Sequence, residues 1–188
     1  MMEYCQSLKA ELEGRRYNGA PVRVRIDIRD MRGGEKVWHH IKRGVPVRVE
    51  IGPRDVEAGG VFVGRRDQTP RDKTSMPRAE FVATIADTLD EIQKNLYDRA
   101  FAYRQAATVE ITDLDEFVAF FTPRDKKKPE IHGGFALSPF VDTPEIDATL
   151  APLKVTARCI PLDQEQRPAK CIFTGEDTTT WAIFAKSY

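Results

Sequence analysis

Apolar residues recur at two different spacings near the start of the chain, and each spacing predicts a different element. Tyr4, Leu8 and Leu12 lie four residues apart, which is typical of the apolar stripe of a short helix over 3–13. Over 21–29 apolar and charged residues alternate strictly (PVRVRIDIR). An alternation of period two predicts a strand with one face in a core and the other face charged.

A second helix and a second alternating strand follow. The stretch 35–43 is helical in pattern and ends at Gly44, since glycine accepts the left-handed conformation that ends many helices. Residues 45–51 then alternate again (VPVRVEI), so their valines and isoleucine are expected in a core. The same alternation points Arg48 and Glu50 outward.

The middle of the chain predicts a third strand and a long helix. Residues 61–67 (VFVGRRD) follow a pair of glycines and predict a short strand. From Ser75, expected as the N-cap, apolar residues spaced three and four apart predict a helix to about 105. At 1.5 Å per residue this helix would be about 45 Å long, which is enough to bridge two modules.

Beyond this helix the pattern predicts a small α+β unit. Its expected elements are a helix at 112–121, a strand at 132–138, a helix at 143–150, a strand at 154–160 and a hairpin pairing 169–173 with 180–185. The linker-like run PRDKKKP contains three lysines, Lys126 to Lys128, which are either solvated or in contact with phosphate. The predicted fold class is therefore α/β, with a domain over 1–106 in which helices flank a mixed sheet and a small α+β domain over 107–188.

Composition excludes some classes of protein. The chain has 188 residues, of which 41% are hydrophobic and 31% charged, as in globular domains. No apolar stretch reaches the roughly 18–20 residues of a bilayer span, and the N-terminus lacks the apolar core of a signal peptide. Three cysteines, an odd and sparse set, cannot form a disulfide framework and fit a reducing compartment, so a cytoplasmic location is expected.

The net charge is zero, but the positive charge is concentrated in one block. Residues 15–73 contain fifteen lysines and arginines against eight acidic residues, a net charge of +7, and the remaining segments are net negative. Such a block is either a solvated face or a surface that binds a polyanion such as RNA. Charge alone leaves both interpretations open.

Specific motifs narrow the choice. The run DIRDMRGGEKVWHHIKRGVPVRVEIGPRD at 27–55 resembles the anticodon-binding domain of prolyl-tRNA synthetase, a class II aminoacyl-tRNA synthetase, in its archaeal and eukaryotic-like form. Further segments resemble the C-terminal half of that family in the same order: VGRRD at 63–67, GFALSPF at 134–140, RCIP at 158–161, KCIFTG at 170–175 and FAKSY at 184–188. The resemblance covers nearly the whole chain, and it implies that 1–106 is the anticodon-binding domain and 107–188 the family's C-terminal domain.

The resemblance implies recognition of the tRNA for proline, with no role for DNA or a membrane. The intact enzyme of this family uses ATP and Mg²⁺ to ligate proline to its tRNA, and symmetric homodimers are usual in it. The catalytic domain lies N-terminal to the matching region and has no counterpart here, so no catalytic residue is assigned and this chain alone is predicted to be inactive. The family's strand before the first helix is also missing, so the chain is expected to begin inside the domain.

Two alternatives come from the residues themselves. The first is a non-catalytic accessory or regulatory module of the same fold, whose basic block contacts a protein partner. The second is a small metal-dependent hydrolase built on His39 and His40, but adjacent helical residues point about 100° apart and cannot chelate one ion together, and the sequence has no HxxxH or carboxylate–His spacing. The neighbouring Trp38 either stacks on a base or packs in a core.

The anticodon candidates lie on the charged face of the first two predicted strands and just after them. Arginine and lysine donate to guanine O6 and N7, and a carboxylate accepts from guanine N1 and N2 hydrogens. From spacing alone, a solvated sheet laced with ion pairs is the simpler interpretation. The resemblance implies instead that Arg29 and Lys36 match the positions that read the two adjacent guanines of proline anticodons. Asp27, Glu50 and Arg54 are further anticodon-binding candidates.

The C-terminal module departs from its family at the metal ligands. Many relatives hold zinc there with a C-x4-C pair and a C-x2-C pair, a tetrahedral thiolate site. The matching positions here are Val141, Ile146, Cys171 and Thr174. Because one thiolate cannot hold a structural zinc, no metal is predicted and Cys171 is interpreted as a small buried residue.

Overall fold

The computed structural model describes residues 1–125 and 132–187. The predicted lysine loop at Lys126 to Lys128 lies outside the described residues. The chain divides into two compact units, Met1–Arg99 and Ala100–Tyr188, so the division lies seven residues before the boundary expected after residue 106. In the described part of the chain, no helix is long and apolar enough to cross a membrane.

The first unit combines helices with a three-stranded antiparallel sheet. Its elements in chain order are α1 (Met2–Glu13), β1 (Arg16–Tyr17), β2 (Ala20–Pro21), α2 (Gly33–Lys42), β3 (Val47–Glu50), α3 (Pro53–Glu57), β4 (Gly60–Arg65), β5 (Lys73–Pro77) and α4 (Arg78–Ala107), which continues into the second unit. The strand order of the sheet is β3–β4–β5, while β1 and β2 form a separate antiparallel hairpin.

The core of the first unit follows the two periodicities. Leu8 and Leu12, one helical turn apart on α1, are each 4% exposed, as the stripe predicts. The alternation of β4 places Val61 and Val63 on one face, and both pack in the same buried cluster as Phe81 near the start of α4. The sheet, α1 and the first turns of α4 therefore share one apolar core.

The strand predicted over 21–29 is wrong except at its first residue. Val22 is buried as expected, but Ile28 is 75% exposed. In place of ladder partners, the backbone N–H of Arg29 donates to the carboxylate of Asp27 at 3.2 Å. Because a local side-chain bond of this kind competes with strand pairing, the segment forms no ladder here, although Val22 and Val24 still pack against the core.

Two features of the first unit differ from what the sequence pattern predicts. The β1–β2 hairpin turns at Asn18 and Gly19, whose φ angles are +48° and +78°, and the Asn-Gly pair is itself the common signal for such a turn. Ser75 does not begin a helix, because it pairs with Phe62 in the β4–β5 ladder. The long helix therefore begins at Arg78.

The second unit contains a four-stranded mixed sheet. Its elements are β6 (Thr108–Glu110), α5 (Leu114–Phe121), β7 (Phe135–Pro139), a 3-10 turn (Pro144–Ile146), α6 (Asp147–Leu153), β8 (Val155–Cys159), β9 (Ala169–Lys170), β10 (Asp177–Thr178) and β11 (Trp181–Lys186). The order is β6–β7–β11–β8, with β6 parallel to β7 and the other pairs antiparallel. Phe117, Phe121 and Phe184 are fully buried at its centre.

The predicted terminal hairpin is wrong in its pairing. The structure pairs β9 with β10, while β11 pairs with β7 on one side and β8 on the other. Four of the six residues of β11 are buried, among them Trp181, Ala182 and Phe184. Because β11 has a paired neighbour on each side, it lies inside the four-stranded sheet and does not form a two-stranded hairpin with β9.

Candidate functional site

Asp27 lies at the centre of a cluster of cationic side chains in the first unit. Its Oδ1 accepts the backbone N–H of Arg29 at 3.2 Å and the Nε–H of Arg29 at 2.9 Å. Its Oδ2 accepts Arg29 Nη2 at 2.6 Å and lies 2.8 Å from Nε2 of His40. The two residues of the 27–29 pair are thus joined by a bidentate, charge-assisted contact along one side of the guanidinium.

Helix α2 supplies the other members of the cluster. Lys36 donates from Nζ to the backbone carbonyl of Asp27 at 3.2 Å. His40 lies four residues after Lys36, so both side chains project from the same face of α2 toward the 27–29 segment. One helix face and one short extended segment therefore bring together three of the candidate residues, Asp27, Arg29 and Lys36.

Asp27, Arg29 and His40 of the cluster line a small polar pocket of about 130 Å³, together with Arg25, His39 and Arg43. Three of these are arginines and only one is a carboxylate. The pocket is therefore net positive and suits an anionic or electron-rich ligand.

Protonation states in the pocket follow from these contacts. The hydrogen bonds from Arg29 are the main cause that lowers the pKa of Asp27 below its usual value, and they outweigh partial burial, which raises it. The contact with Asp27 in turn raises the pKa of Arg29. Partial burial and the nearby charges of Arg29 and Arg43 lower the pKa of His39. At neutral pH the pocket thus combines charged arginines with an ionised Asp27 and a neutral His39.

Three large apolar side chains are exposed on α2 and on the segment that carries Arg29. Trp38 precedes the histidines on α2 and is 56% exposed, so the alternative that it packs in a core is wrong. Ile28 and Met31 are also exposed, on the segment that carries Arg29. An exposed indole offers a flat face on which an unpaired base stacks.

The other two candidates lie apart from the cluster. Glu50 on β3 accepts from Lys73 Nζ on β5 at 2.5 Å. Arg54 lies on α3 and is exposed. Among the described residues, neither has a hydrogen bond or ion pair to Asp27, Arg29 or Lys36.

Arg48 does not face solvent as the alternation predicted. It is 8% exposed and pairs across the sheet with Gly64. A Cβ atom at residue 64 would lie 3.1 Å from Nη2 of Arg48, so the glycine makes room for the buried guanidinium.

Sequence reasoning missed Arg25, Arg43 and the role of His40 in this pocket. The spacing of four between Lys36 and His40 is the signal that could have placed His40 beside Asp27. No local pattern indicates that Arg25 and Arg43 come together, because they lie on different elements.

Two of the four positions that match the family's zinc ligands are buried. Ile146 is 3% exposed and belongs to the apolar core, and Cys171 is 2% exposed. Burial raises the pKa of the Cys171 thiol, but hydrogen bonds from Thr174 and from backbone groups lower it below its usual value overall. Across residues 1–125 and 132–187 no group of three or more His, Cys, Asp and Glu side chains could hold a metal. The donor set at these positions therefore does not fit zinc.

Comparison with known families matches both units. Residues 1–88 match the family model described as anticodon binding domain. Residues 125–188 match the model described as prolyl-tRNA synthetase, C-terminal. The first match contains the whole Asp27 cluster, and the second contains the zinc-ligand positions.

Curated relatives and a solved structure agree with these matches. A proline–tRNA ligase from Anaeromyxobacter dehalogenans is 49% identical and one from Protochlamydia amoebophila is 47% identical, both over the whole of this chain. The chain spans 38% and 37% of these two relatives. The crystal structure of prolyl-tRNA synthetase from Cryptosporidium parvum, complexed with L-proline and AMP, superposes with a TM-score of 0.77 at 26% identity, covering the whole of this chain and 37% of that one.

Proposed function

The chain belongs to the prolyl-tRNA synthetase family, of which it carries the anticodon-binding domain and the C-terminal domain, and from this we propose that it recognises the anticodon of the tRNA for proline. The observation that carries the proposal is the cationic cluster in the first unit. There Asp27 holds Arg29, and Lys36 lies beside it. The comparisons give no support to the alternative of a regulatory module that binds a protein partner.

Arg29 and Lys36 have the chemistry to read guanine. Arginine donates two parallel hydrogen bonds to O6 and N7 of a guanine, and lysine donates to the same acceptors. Single-stranded bases of an anticodon loop expose these edges and also stack on aromatic side chains. Trp38 is exposed on α2, but it is two residues from both Lys36 and His40 and projects about 200° away from them around the helix, so it is a candidate for stacking outside the pocket. Glu50 and Arg54 stay candidates for contacts outside the pocket.

The chemistry of ligation belongs to the rest of the enzyme in this proposal. The intact protein would be a cytoplasmic homodimer that ligates proline to its tRNA with ATP and Mg²⁺, and this chain would contribute recognition of the tRNA alone. Without the catalytic domain we expect neither formation of prolyl-adenylate nor charging of tRNA. We also propose that the C-terminal domain needs no zinc, because Val141, Ile146 and Thr174 replace three of the four thiolates.

Single substitutions test the proposed reading face. Arg29→Ala and Lys36→Ala should each cost about 1–3 kcal/mol in binding per lost base contact and reduce the preference for the proline anticodon. The measurement is filter binding of the chain to a proline anticodon stem-loop and to one in which both anticodon guanines are replaced. Arg71→Ala is the matched control, because Arg71 is an exposed arginine of the same basic block outside the pocket.

The outcome that contradicts the proposal is equally clear. If both Ala variants are folded and discriminate the two stem-loops as well as the unmodified chain does, the charged cluster does not read the anticodon.

A further inference from the structure

We propose that Asp27 is a positioning residue that does not itself read RNA, and that it fixes the Arg29 guanidinium so that its unused edge faces a guanine of the anticodon. This inference rests on the proposed function. It concerns how the same site works, and it reassigns a carboxylate that sequence reasoning placed among the base-reading groups.

Contacts within the protein occupy the whole acceptor capacity of the Asp27 carboxylate. An ionised carboxylate has two oxygens with about four lone-pair directions in total. Oδ1 takes the backbone N–H and the Nε–H of Arg29, while Oδ2 takes Nη2 of Arg29 and faces Nε2 of His40. All four directions are used within the protein. Asp27 therefore has no acceptor left for the N1 and N2 hydrogens of a guanine.

The Arg29 guanidinium, in contrast, keeps N–H donors that Asp27 does not use. A guanidinium carries five N–H donors in one plane, and Asp27 uses one on Nε and one on Nη2. The two hydrogens of Nη1 and the second hydrogen of Nη2 have no partner among the described residues. These hydrogens form the end of the fork, which is the edge that donates in parallel to guanine O6 and N7. The side chain of Arg29 is 38% exposed, so this edge is accessible.

Asp27 also holds the Arg29 side chain in one conformation before any RNA binds. A free arginine side chain populates many rotamers, and binding must immobilise it at an entropic cost. Two side-chain contacts and one backbone contact to Asp27 fix the guanidinium before any ligand arrives. Lys36, held by the carbonyl of the same residue, is fixed beside it. Asp27 thus sets the geometry of both proposed readers.

Removing the charge of Asp27 distinguishes a positioning role from a merely structural one. An anionic side chain in the pocket repels the phosphates of any RNA, so its net effect on non-specific binding is unfavourable. Asp27→Asn keeps the shape and removes the charge, but it places an amide N–H₂ opposite donors of Arg29 or His40. We therefore expect Asp27→Asn to lose discrimination between anticodons while its affinity for non-cognate RNA is unchanged or higher.

A double-mutant cycle tests the inference. Binding of the proline anticodon stem-loop and of the loop with both guanines replaced is measured for Asp27→Asn, Arg29→Ala and the double variant. Each single variant should reduce the discrimination ratio about tenfold, and the double variant should reduce it no further, because the Asp27 carboxylate acts through Arg29, while the Asp27 carbonyl that holds Lys36 is unchanged in Asp27→Asn. Glu11→Gln is the matched control, since it neutralises a carboxylate of the same unit that pairs with Arg78. Its discrimination ratio should be unchanged.

The possible results distinguish this inference from the proposed function. If Arg29→Ala loses discrimination and Asp27→Asn keeps it, Asp27 is not a positioning residue and the reading face stands. If the two losses multiply in the double variant, Asp27 contacts the RNA directly and the inference is wrong. If Arg29→Ala itself keeps discrimination, the proposed reading face fails and the inference fails with it.

A second variant keeps the test decisive if Asp27→Asn does not fold. Arg29→Lys preserves the positive charge but replaces the planar fork by a point charge that cannot make the same paired contacts. We expect it to lose discrimination as Arg29→Ala does, and retained discrimination would show that the fixed guanidinium plane is not needed.

Discussion

Two arginine–aspartate pairs in the first unit have the same geometry and different surroundings. In each pair the residues are two apart in sequence, and the arginine donates from Nε and Nη2 to the two carboxylate oxygens. The distances are 2.9 and 2.6 Å from Arg29 to Asp27, and 3.1 and 2.9 Å from Arg65 to Asp67. The pair itself therefore does not determine what each site does.

The difference lies in the remaining donors. Nη1 of Arg65 donates to Glu91 at 2.8 Å, and Asp67 also accepts from Asn95 at 2.8 Å. Glu91 and Asn95 lie one turn apart on α4, so this pair ties the end of β4 to the helix. The Asp67 side chain is 2% exposed, compared with 15% for Asp27. The outer edge of the Arg65 guanidinium is thus satisfied within the protein, whereas that of Arg29 is left accessible, as its proposed role in recognition requires.

The largest expected effect is a difference between Arg65→Ala and Arg29→Ala in the free energy of unfolding. Arg65→Ala removes the main partner of an almost fully buried carboxylate and should lower the free energy of unfolding of the first unit by about 2–3 kcal/mol. Arg29→Ala should change it by no more than about 0.5 kcal/mol, because its pair is partly exposed. Native-state hydrogen exchange of the β4 amides measures both. Equal destabilisation by the two variants would remove the distinction between scaffold and recognition pair.

The pH dependence of stability gives a second test of the structural role of the Arg65–Asp67 pair, through the titration of Asp67. The hydrogen bonds from Arg65 are the main cause that lowers the pKa of Asp67 below its usual value. A carboxyl group with a lowered folded-state pKa stabilises the protein above its unfolded pKa of about 3.9, and this stability is lost as the pH falls toward the folded value. The stability gap between the unmodified chain and Asp67→Asn should therefore shrink below about pH 4.

The size of this effect has an upper limit. One proton changes the free energy of unfolding by at most about 1.4 kcal/mol per pH unit. Urea denaturation between about pH 5 and pH 3 measures the gap, with Glu91→Gln as the control because Glu91 is 62% exposed. A gap that stays constant over this range would show that Asp67 contributes no pH-dependent stability.

Much of this arrangement follows from local sequence, and the exceptions have physical causes. The four-residue spacing of Leu8 and Leu12 identifies α1 and its buried face, and Gly44 marks the end of α2 with φ at +68°. The resemblance to the family implies a shared site for Arg29 and Lys36, and in the structure both side chains contact Asp27. Local pattern fails over 22–29, because alternation shows which residues could form a strand and not whether a neighbouring strand pairs with them.

Long-range pairing explains the other failures. Serine is a preferred N-cap residue, but Ser75 pairs in a strand ladder with Phe62, which lies thirteen residues earlier in the chain. Arg48 alternates as a solvent-facing residue, and only the absence of a side chain at Gly64 lets it be buried. The two similar arginine pairs, likewise, are distinguished by Glu91, which no local pattern connects to Arg65.

The smallest expected effect concerns an arginine of the pocket that belongs to neither pair. Arg43 follows α2, lines the pocket beside Arg29 and has no side-chain hydrogen bond among the described residues. Without a partner to fix its plane, we expect it to contact a phosphate, which carries no sequence information.

Arg43→Gln should therefore weaken binding to cognate and non-cognate stem-loops alike and reduce the slope of log K against log salt by about 0.7–0.9. Filter binding at several salt concentrations measures both quantities, and Arg71→Gln is the matched control for an exposed arginine outside the pocket. If Arg43→Gln instead reduces discrimination as much as Arg29→Ala does, an unpaired arginine reads bases as well as a fixed one. Recognition would then depend on position in the pocket, and the bidentate contact with Asp27 would not be what distinguishes Arg29 from Arg65.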